Sequence, residues 1–197
     1  VDDCARVGIF SSQTAQKGFW VQKVYVHPNA DIAVLQTSRT PPAIAIRPVS
    51  KKLIVGQTGY HFGFPQGEPG DLLSELIGRR KLRKVGRQSF VEPAIAWAVK
   101  LQAPRLGAFG GISGGPVLDR KGQVVGVTVA GNIRRGRVIA SPPKTINEFL
   151  RFISIKPDGT PSANVSRKTL NEDAFSFHGD NLRKNLSVAK VFCKGRV

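Results

Sequence analysis

The sequence has 197 residues, of which 41% are hydrophobic, with 21 Gly and 13 Pro. That is enough apolar material for one large domain or two small ones and too much for a disordered chain, while no apolar run approaches the roughly 20 residues of a membrane span. Thirty Lys and Arg against 13 Asp and Glu leave a net charge of +17, a field that attracts polyanions, although the cations are spread through the chain as in an ordinary basic secreted protein.

Short apolar runs separated by Gly and Pro predict an all-β protein with many turns. Val7 to Phe10 and Phe19 to Val26 read as strands, and His27-Pro28-Asn29-Ala30 as a turn. Asp31-Ile32-Ala33-Val34-Leu35 follows as a buried strand with a charge at its start. Residues 38–52, with Pro41, Pro42 and Pro48, form an extended connector. Leu53 to Val55 and Tyr60 to Phe64 are strands, the second placing Tyr60, Phe62 and Phe64 on one face and His61 on the other. Residues 72–84 read either as a hairpin or as a short helix, and 89–101 as one or two strands. Pro116 to Leu118 and Val124 to Val129 bracket the turn Asp119-Arg120-Lys121-Gly122; Asn132 to Gly136 is a second turn, and Arg137 to Ala140 a strand. A helix over 142–153 is marked by Ser141 as its cap, by prolines in its first turn and by Ile146, Phe149, Leu150 and Ile153 at helical spacing. The remainder is polar until Leu186 to Val191, which alternates like a strand and leads into Cys193. The two cysteines, Cys4 and Cys193, are too few for a closed Cys-ligated zinc site. Either one disulfide joins them or they are unrelated thiols. No Met occurs, position 1 included, so a segment preceding Val1 is expected.

The strongest chemical signal is Gly111-Ile112-Ser113-Gly114-Gly115-Pro116-Val117. Glycines around a serine allow backbone angles closed to other residues. A nucleophilic serine needs that freedom, because its hydroxyl must stand exposed while neighbouring N–H groups converge on an oxyanion. An incidental Ser in a Gly-rich hairpin is the plainer alternative. The continuation through Pro116-Val117-Leu118, a turn and Val124-Val125-Gly126-Val127 argues against it.

With that motif and Asp31-Ile32-Ala33-Val34-Leu35 preceded by His27-Pro28, the chain resembles the trypsin-like (chymotrypsin-fold) serine peptidase family, including its bacterial branch of secreted stress proteases, over roughly residues 1–153. The resemblance implies two antiparallel Greek-key β-barrels packed together with a helix closing the second. Residues 1–37 would be the remainder of an incomplete first barrel, 38–52 the inter-barrel connector, 53–153 the second barrel and helix, and 154–197 a polar extension ending in a strand. It implies Ser113 as nucleophile, the N–H groups of Gly111 and Ser113 as oxyanion hole, and Asp31 as the carboxylate that orients a general base. The family's histidine lies a few tens of residues before its aspartate. His27 is too close, and His61 and His178 fall downstream, so all three read as structural or exposed. Val1-Asp2-Asp3-Cys4 resembles the residues just after that histidine in relatives, which places the base about two residues before Val1. Ile112 stands where zymogen-activated members carry an Asp that binds a new N-terminus, so activation by that ion pair is not expected. At the base of the specificity pocket stands Gly107 rather than an acid; with Ala108, Gly126, Val127 and Thr128 it implies an uncharged pocket for small or medium apolar side chains. The resemblance also favours the Cys4–Cys193 disulfide and a secreted or periplasmic location, and calls for no cofactor or metal.

Two other readings stand beside the peptidase: a protease-like binding module without turnover, and a basic polyanion binder. For the latter, Arg79, Arg80, Lys81, Arg83 and Lys84 are the candidate contact, although no zinc-finger spacing or aromatic RNA-binding motif accompanies them. Arg134, Arg135 and Arg137 follow the strand that lines the cleft in relatives and suggest acidic residues flanking a scissile bond.

Overall fold

A computed structural model describes residues 4–10, 18–39, 41–85, 89–155 and 169–195. The first part is built from short strands: β1 (Cys4–Phe10), β2 (Gly18–Trp20), β3 (Lys23–Val26) and β4 (Ala33–Gln36). The strand read over 19–26 is broken at Val21 and Gln22. The Val21 N–H turns to the Val7 carbonyl and the Gln22 N–H to the Gln36 carbonyl, so β2 stays with β1 while β3 pairs with β4. β4 begins only at Ala33 and is half-buried, leaving Asp31 in the approach to it. Residues 53–55 are not a strand: Ile54 and Val55 are exposed in a turn closed by the Gln57 N–H on the Ile54 carbonyl.

Six strands then close a barrel: β5 (Thr58–Gly63), β6 (Gly70–Lys84), β7 (Phe90–Ala103), β8 (Pro116–Leu118), β9 (Val124–Asn132) and β10 (Arg137–Ser141), in the order β10-β7-β6-β5-β8-β9. Residues 70–84 form one 15-residue strand, neither a hairpin nor a helix. Register shifts after Leu73 and Leu76 interrupt its alternation, and its outer half runs with β7 as a ribbon carrying Arg79, Arg80, Lys81 and Arg83 on its surface. The barrel interior is filled by Leu72, Leu76, Ile95, Trp97, Phe109, Ile112, Val117, Val125, Val138 and Ala140. α1 (Pro143–Phe152) follows β10, one residue later than its cap was placed, because Ser141 remains in the sheet.

The extension after residue 168 is not merely polar. α2 (Phe175–Lys184) lays Phe175 and Leu182 against Tyr60, Phe62, Phe64 and Leu73 on the outer face of the barrel. Arg183 anchors it through two hydrogen bonds to Asp71 (2.6 and 3.0 Å), both side chains fully buried. β5 is therefore buried on both faces, and His61 has no solvent to turn to. The chain then runs extended to β11 (Val191–Gly195), which pairs antiparallel with β1 and is bonded to it by the Cys4–Cys193 disulfide. Among the described residues no helix is long and apolar enough to cross a membrane.

Candidate active site

The loop between β7 and β8 is held by its apolar residues. Phe109 and Ile112 are buried in the barrel core and linked by the Ile112 N–H on the Phe109 carbonyl (3.2 Å). Full burial of a side chain the size of Ile112 contributes roughly 2–3 kcal/mol. An apolar residue at 112 thus anchors the loop from within. Gly111 between them has φ +95°, a conformation costly to any residue with a Cβ. The Gly110 carbonyl accepts from the Gln66 N–H (2.6 Å), which fixes the following peptide. On the other side, Gly114 donates to the Thr128 carbonyl (2.8 Å) and Thr128 donates to the Gly115 carbonyl (2.9 Å), so β9 clamps the loop. Ser113 is left exposed, its hydroxyl donating weakly to the Val129 carbonyl (3.3 Å). The N–H groups of Gly111 and Ser113 meet no acceptor among the described residues.

Ser113 stands between two cavities. One, of about 280 Å³, is lined by Gly111 to Pro116, by Gly63, Phe64 and Gly67, and by Ser187 to Val191. The other, of about 320 Å³, has Ser113, Gly114, Thr128 and Val129 on one side and His27, Asp31 and Ile32 on the other. Asp31 and Ser113, 82 positions apart in sequence, therefore face one space. The Asp31 N–H is held by Glu92 Oε1 (3.0 Å), and the second oxygen of Glu92 accepts the Ser141 hydroxyl (3.0 Å). Glu92 is fully buried, and burial pushes its carboxyl above the usual range. One Asp31 oxygen accepts from Lys84 Nζ (2.8 Å), leaving Oδ2 toward further partners.

The histidines sort by their surroundings. His61 is enclosed, edge-on to Trp97, and burial lowers its pKa to about 3. Its Nε2 lies 2.7 Å from Ser74 Oγ, and the Ser74 hydroxyl donates to the Gly59 carbonyl (3.1 Å). Nε2 therefore carries the proton, and Nδ1 accepts from Thr128 Oγ1 (3.3 Å). His61 is a neutral brace behind Thr128, the residue that clamps the Ser113 loop. His27 lines the Asp31 cavity, but its Nδ1 accepts from the Asn29 N–H (2.9 Å) and its ring packs on Phe149. His178 lies on α2. The partners of Ser113 and Asp31 are Val129, Lys84 and Glu92, and no imidazole is among them.

Of the residues expected at a specificity pocket, Thr128 lines the Asp31 cavity. Gly107, Ala108, Gly126 and Val127 line neither cavity beside Ser113. Gly107 lies near the Gln66 side chain, and Gly126 faces the barrel interior against Ala140 and Ile95. Glu92, Lys84 and the segment 187–191 are additions that the sequence did not suggest. Glu92 carried one signal, a lone acid within the apolar run Phe90 to Val99 of a strongly basic chain. Among the described residues no three His, Cys, Asp or Glu side chains are placed to hold a metal ion.

An exposed serine thus sits in a glycine loop on a six-stranded barrel, facing an aspartate, with the Gly111 and Ser113 N–H groups meeting no acceptor among the described residues. The family profile of the trypsin-like peptidase domain matches residues 1–127, and the chain belongs to that family. Among solved structures, the active form of the Rv3671c protease from M. tuberculosis superposes with a TM-score of 0.58 at 18% identity, over 78% of this chain and 64% of that one. The apo MamO protease domain from Magnetospirillum magneticum superposes with a TM-score of 0.57 at 19% identity, over 76% of this chain and 78% of that one. At such identities the likeness carries the fold. No curated protein matches the sequence.

Proposed function

We propose that the chain is the greater part of a serine endopeptidase in which Ser113 is the nucleophile and Asp31 orients a histidine preceding Val1. What carries this reading is the pair of N–H groups of Gly111 and Ser113, without acceptors among the described residues, in residues that line one cavity while Asp31 faces Ser113 across another. The Asp31 cavity has room for an imidazole. β1, bonded to β11 through Cys4–Cys193, pairs its Ile9 with the cavity-lining Val191.

In this arrangement the imidazole takes the Ser113 proton as Oγ attacks the carbonyl, and Asp31 Oδ2 holds the other ring N–H and stabilises the imidazolium. The Gly111 and Ser113 N–H groups receive the oxyanion. The imidazolium then protonates the departing amine, and water releases the acyl group by the same steps in reverse. Each oxyanion donor contributes on the order of 10²–10³ in rate. Val129 and Ile32, which line the cleft beside Ser113, support a preference for small or medium apolar acyl-side residues, a reading to which Gly107, outside both cavities, adds nothing. Exposed Arg134, Arg135 and Arg137, in the turn from β9 and at the start of β10, support acidic residues flanking the scissile bond. The disulfide supports a secreted or periplasmic location. Arg79, Arg80, Lys81 and Arg83 on the ribbon, with Lys84 tied to Asp31, leave a polyanion contact as an accessory property.

The test is labelling of the protein, with its preceding segment, by a serine-directed peptidyl phosphonate. Stoichiometric labelling at Ser113, lost in Ser113→Ala and slowed in Asp31→Asn, is the expected result. No labelling of the intact protein at any pH from 6 to 9 would leave the binding-module reading.

A further inference from the structure

The segment that joins α2 to β11 is fixed at both ends. Behind it, Arg183 is held by Asp71 and reaches the Gly63 carbonyl (3.3 Å); ahead of it, Cys193 is bonded to Cys4. Between these anchors the Ser187 hydroxyl donates to the Pro42 carbonyl (2.9 Å), Val188 is buried, and the Phe10 N–H donates to the Lys190 carbonyl (3.0 Å). Ser187 to Val191 thus forms a strap across the cleft. It walls the cavity that holds the Gly111 and Ser113 N–H groups, and Val191 reaches the Asp31 cavity as well.

The direction of a bound peptide is set by β9. Its pairing with β8 stops at Val127, so beyond Thr128 its edge on the Ser113 side has no strand partner among the described residues and is open to the acyl half of an extended substrate. The leaving half must then depart on the other side of Ser113, between Gly63 to Gly67 and the strap. Of the described residues that line that cavity, Lys190 alone carries a charge. Its Nζ donates to the Gly67 carbonyl (2.6 Å) and sits over the Phe10 ring, and it meets no carboxylate among the described residues. An ammonium has three donors, so two remain for a ligand.

We propose that the strap is the leaving-side wall of the cleft and that Lys190 selects substrates with an acidic side chain shortly after the scissile bond. This rests on the peptidase reading. The experiment uses the protein with its preceding segment. Binding of fluorescein-labelled octapeptides, in which a single Glu or Gln moves along a neutral sequence, is measured on Ser113→Ala by anisotropy, and cleavage of the same peptides by the wild type is mapped by mass spectrometry. Glu should outbind Gln by about five-fold at its preferred position, as for a partly exposed ion pair. The preference should weaken with salt, vanish in Lys190→Met, return in Lys190→Arg and favour Lys-bearing peptides in Lys190→Glu, with the cut falling on the amino side of the Glu. Equal binding of Glu and Gln peptides, a preference that survives Lys190→Met at the position mapping after the cut, or cuts falling only on the carboxyl side of the Glu would overturn the proposal. A Lys190-dependent preference without any cleavage would instead retain the strap as an acidic-peptide site and remove the peptidase reading.

Discussion

His61→Gln isolates the energetic role of the enclosed imidazole. Gln keeps a donor for Ser74 and an acceptor for Thr128 but carries no titrating proton. In the folded protein His61 stays neutral down to about pH 3, whereas in the unfolded chain it takes a proton near pH 6.5. Its contribution is therefore complete above pH 6.5 and declines as the pH falls toward 3, by about 1.4 kcal/mol per pH unit. Moving from pH 8 to pH 5 should cost the wild type about 2 kcal/mol that the variant does not lose. With a urea slope of about 2 kcal/mol per molar, that is a difference of about 1 M in midpoint shift. Asp71, pushed up to about 6 by burial although Arg183 opposes it, acts with the opposite sign. Its folded form takes a proton before the unfolded form does, and stability rises as the pH falls through 6. Because Asp71 is present in both proteins, only the difference between them reports His61. Urea unfolding at pH 8 and pH 5, followed by fluorescence with the disulfide intact, makes the measurement. If both proteins lose the same stability, His61 is not held neutral and its assigned hydrogen bonds are wrong.

Removal of one partner of the Arg183–Asp71 pair, as in Arg183→Met, should cost about 3–5 kcal/mol because a carboxyl is left buried alone; the double variant with Asp71→Leu should recover most of it in the same unfolding assay. Glu92→Leu takes the acceptor from the Asp31 N–H and the Ser141 hydroxyl and should cost about 1–3 kcal/mol. In the active protein it should lower kcat while leaving KM nearly unchanged, since it displaces Asp31 and touches no substrate; an unchanged kcat would show that Asp31 is positioned without it. Reduction of Cys4–Cys193, which closes a sequence separation of 189, should lower stability by up to about 5 kcal/mol, read as a shift in guanidinium midpoint with and without reductant. An unchanged midpoint would mean that the unfolded ends are not restrained.

The Ser113 loop was legible as a glycine-rich turn leading into a hairpin because its demands fall on the backbone and on few residues, the glycines around Ser113 and the hairpin that follows; the burial of Ile112 that anchors it was not foreseen. The Arg137 strand and the helix beginning near residue 143 were legible from turn chemistry and spacing. Three features were hidden for physical reasons. The long strand β6 loses its period at two register shifts, so alternation could not separate it from a hairpin or helix. In α2 the apolar face runs Phe175, Gly179, Leu182, and the middle position is glycine because a Cβ there would meet the Asp71 carboxylate. A helix without its central apolar residue reads as loop. The strap alternates like a strand although Ser187 to Lys190 lies outside one, since it is tied to the connector at Pro42 and shares a cavity with the Ser113 loop instead of joining a ladder. Glu92 serves the aspartate from 61 positions away, a distance at which sequence spacing carries no signal.

A side chain at Gly115 would run into the carbonyl of Phe62, and one at Gly111 into that of Phe64. Drift at these positions is therefore forbidden by the barrel's own main chain, whatever the loop is asked to bind. The wall opposite them comes from the far end of the polypeptide and hangs on anchors of its own. Within it Val188 is buried, Ser187 is tied to Pro42 and Val191 is paired with Ile9, so Ala189 and Lys190 are the positions where variation meets the least resistance.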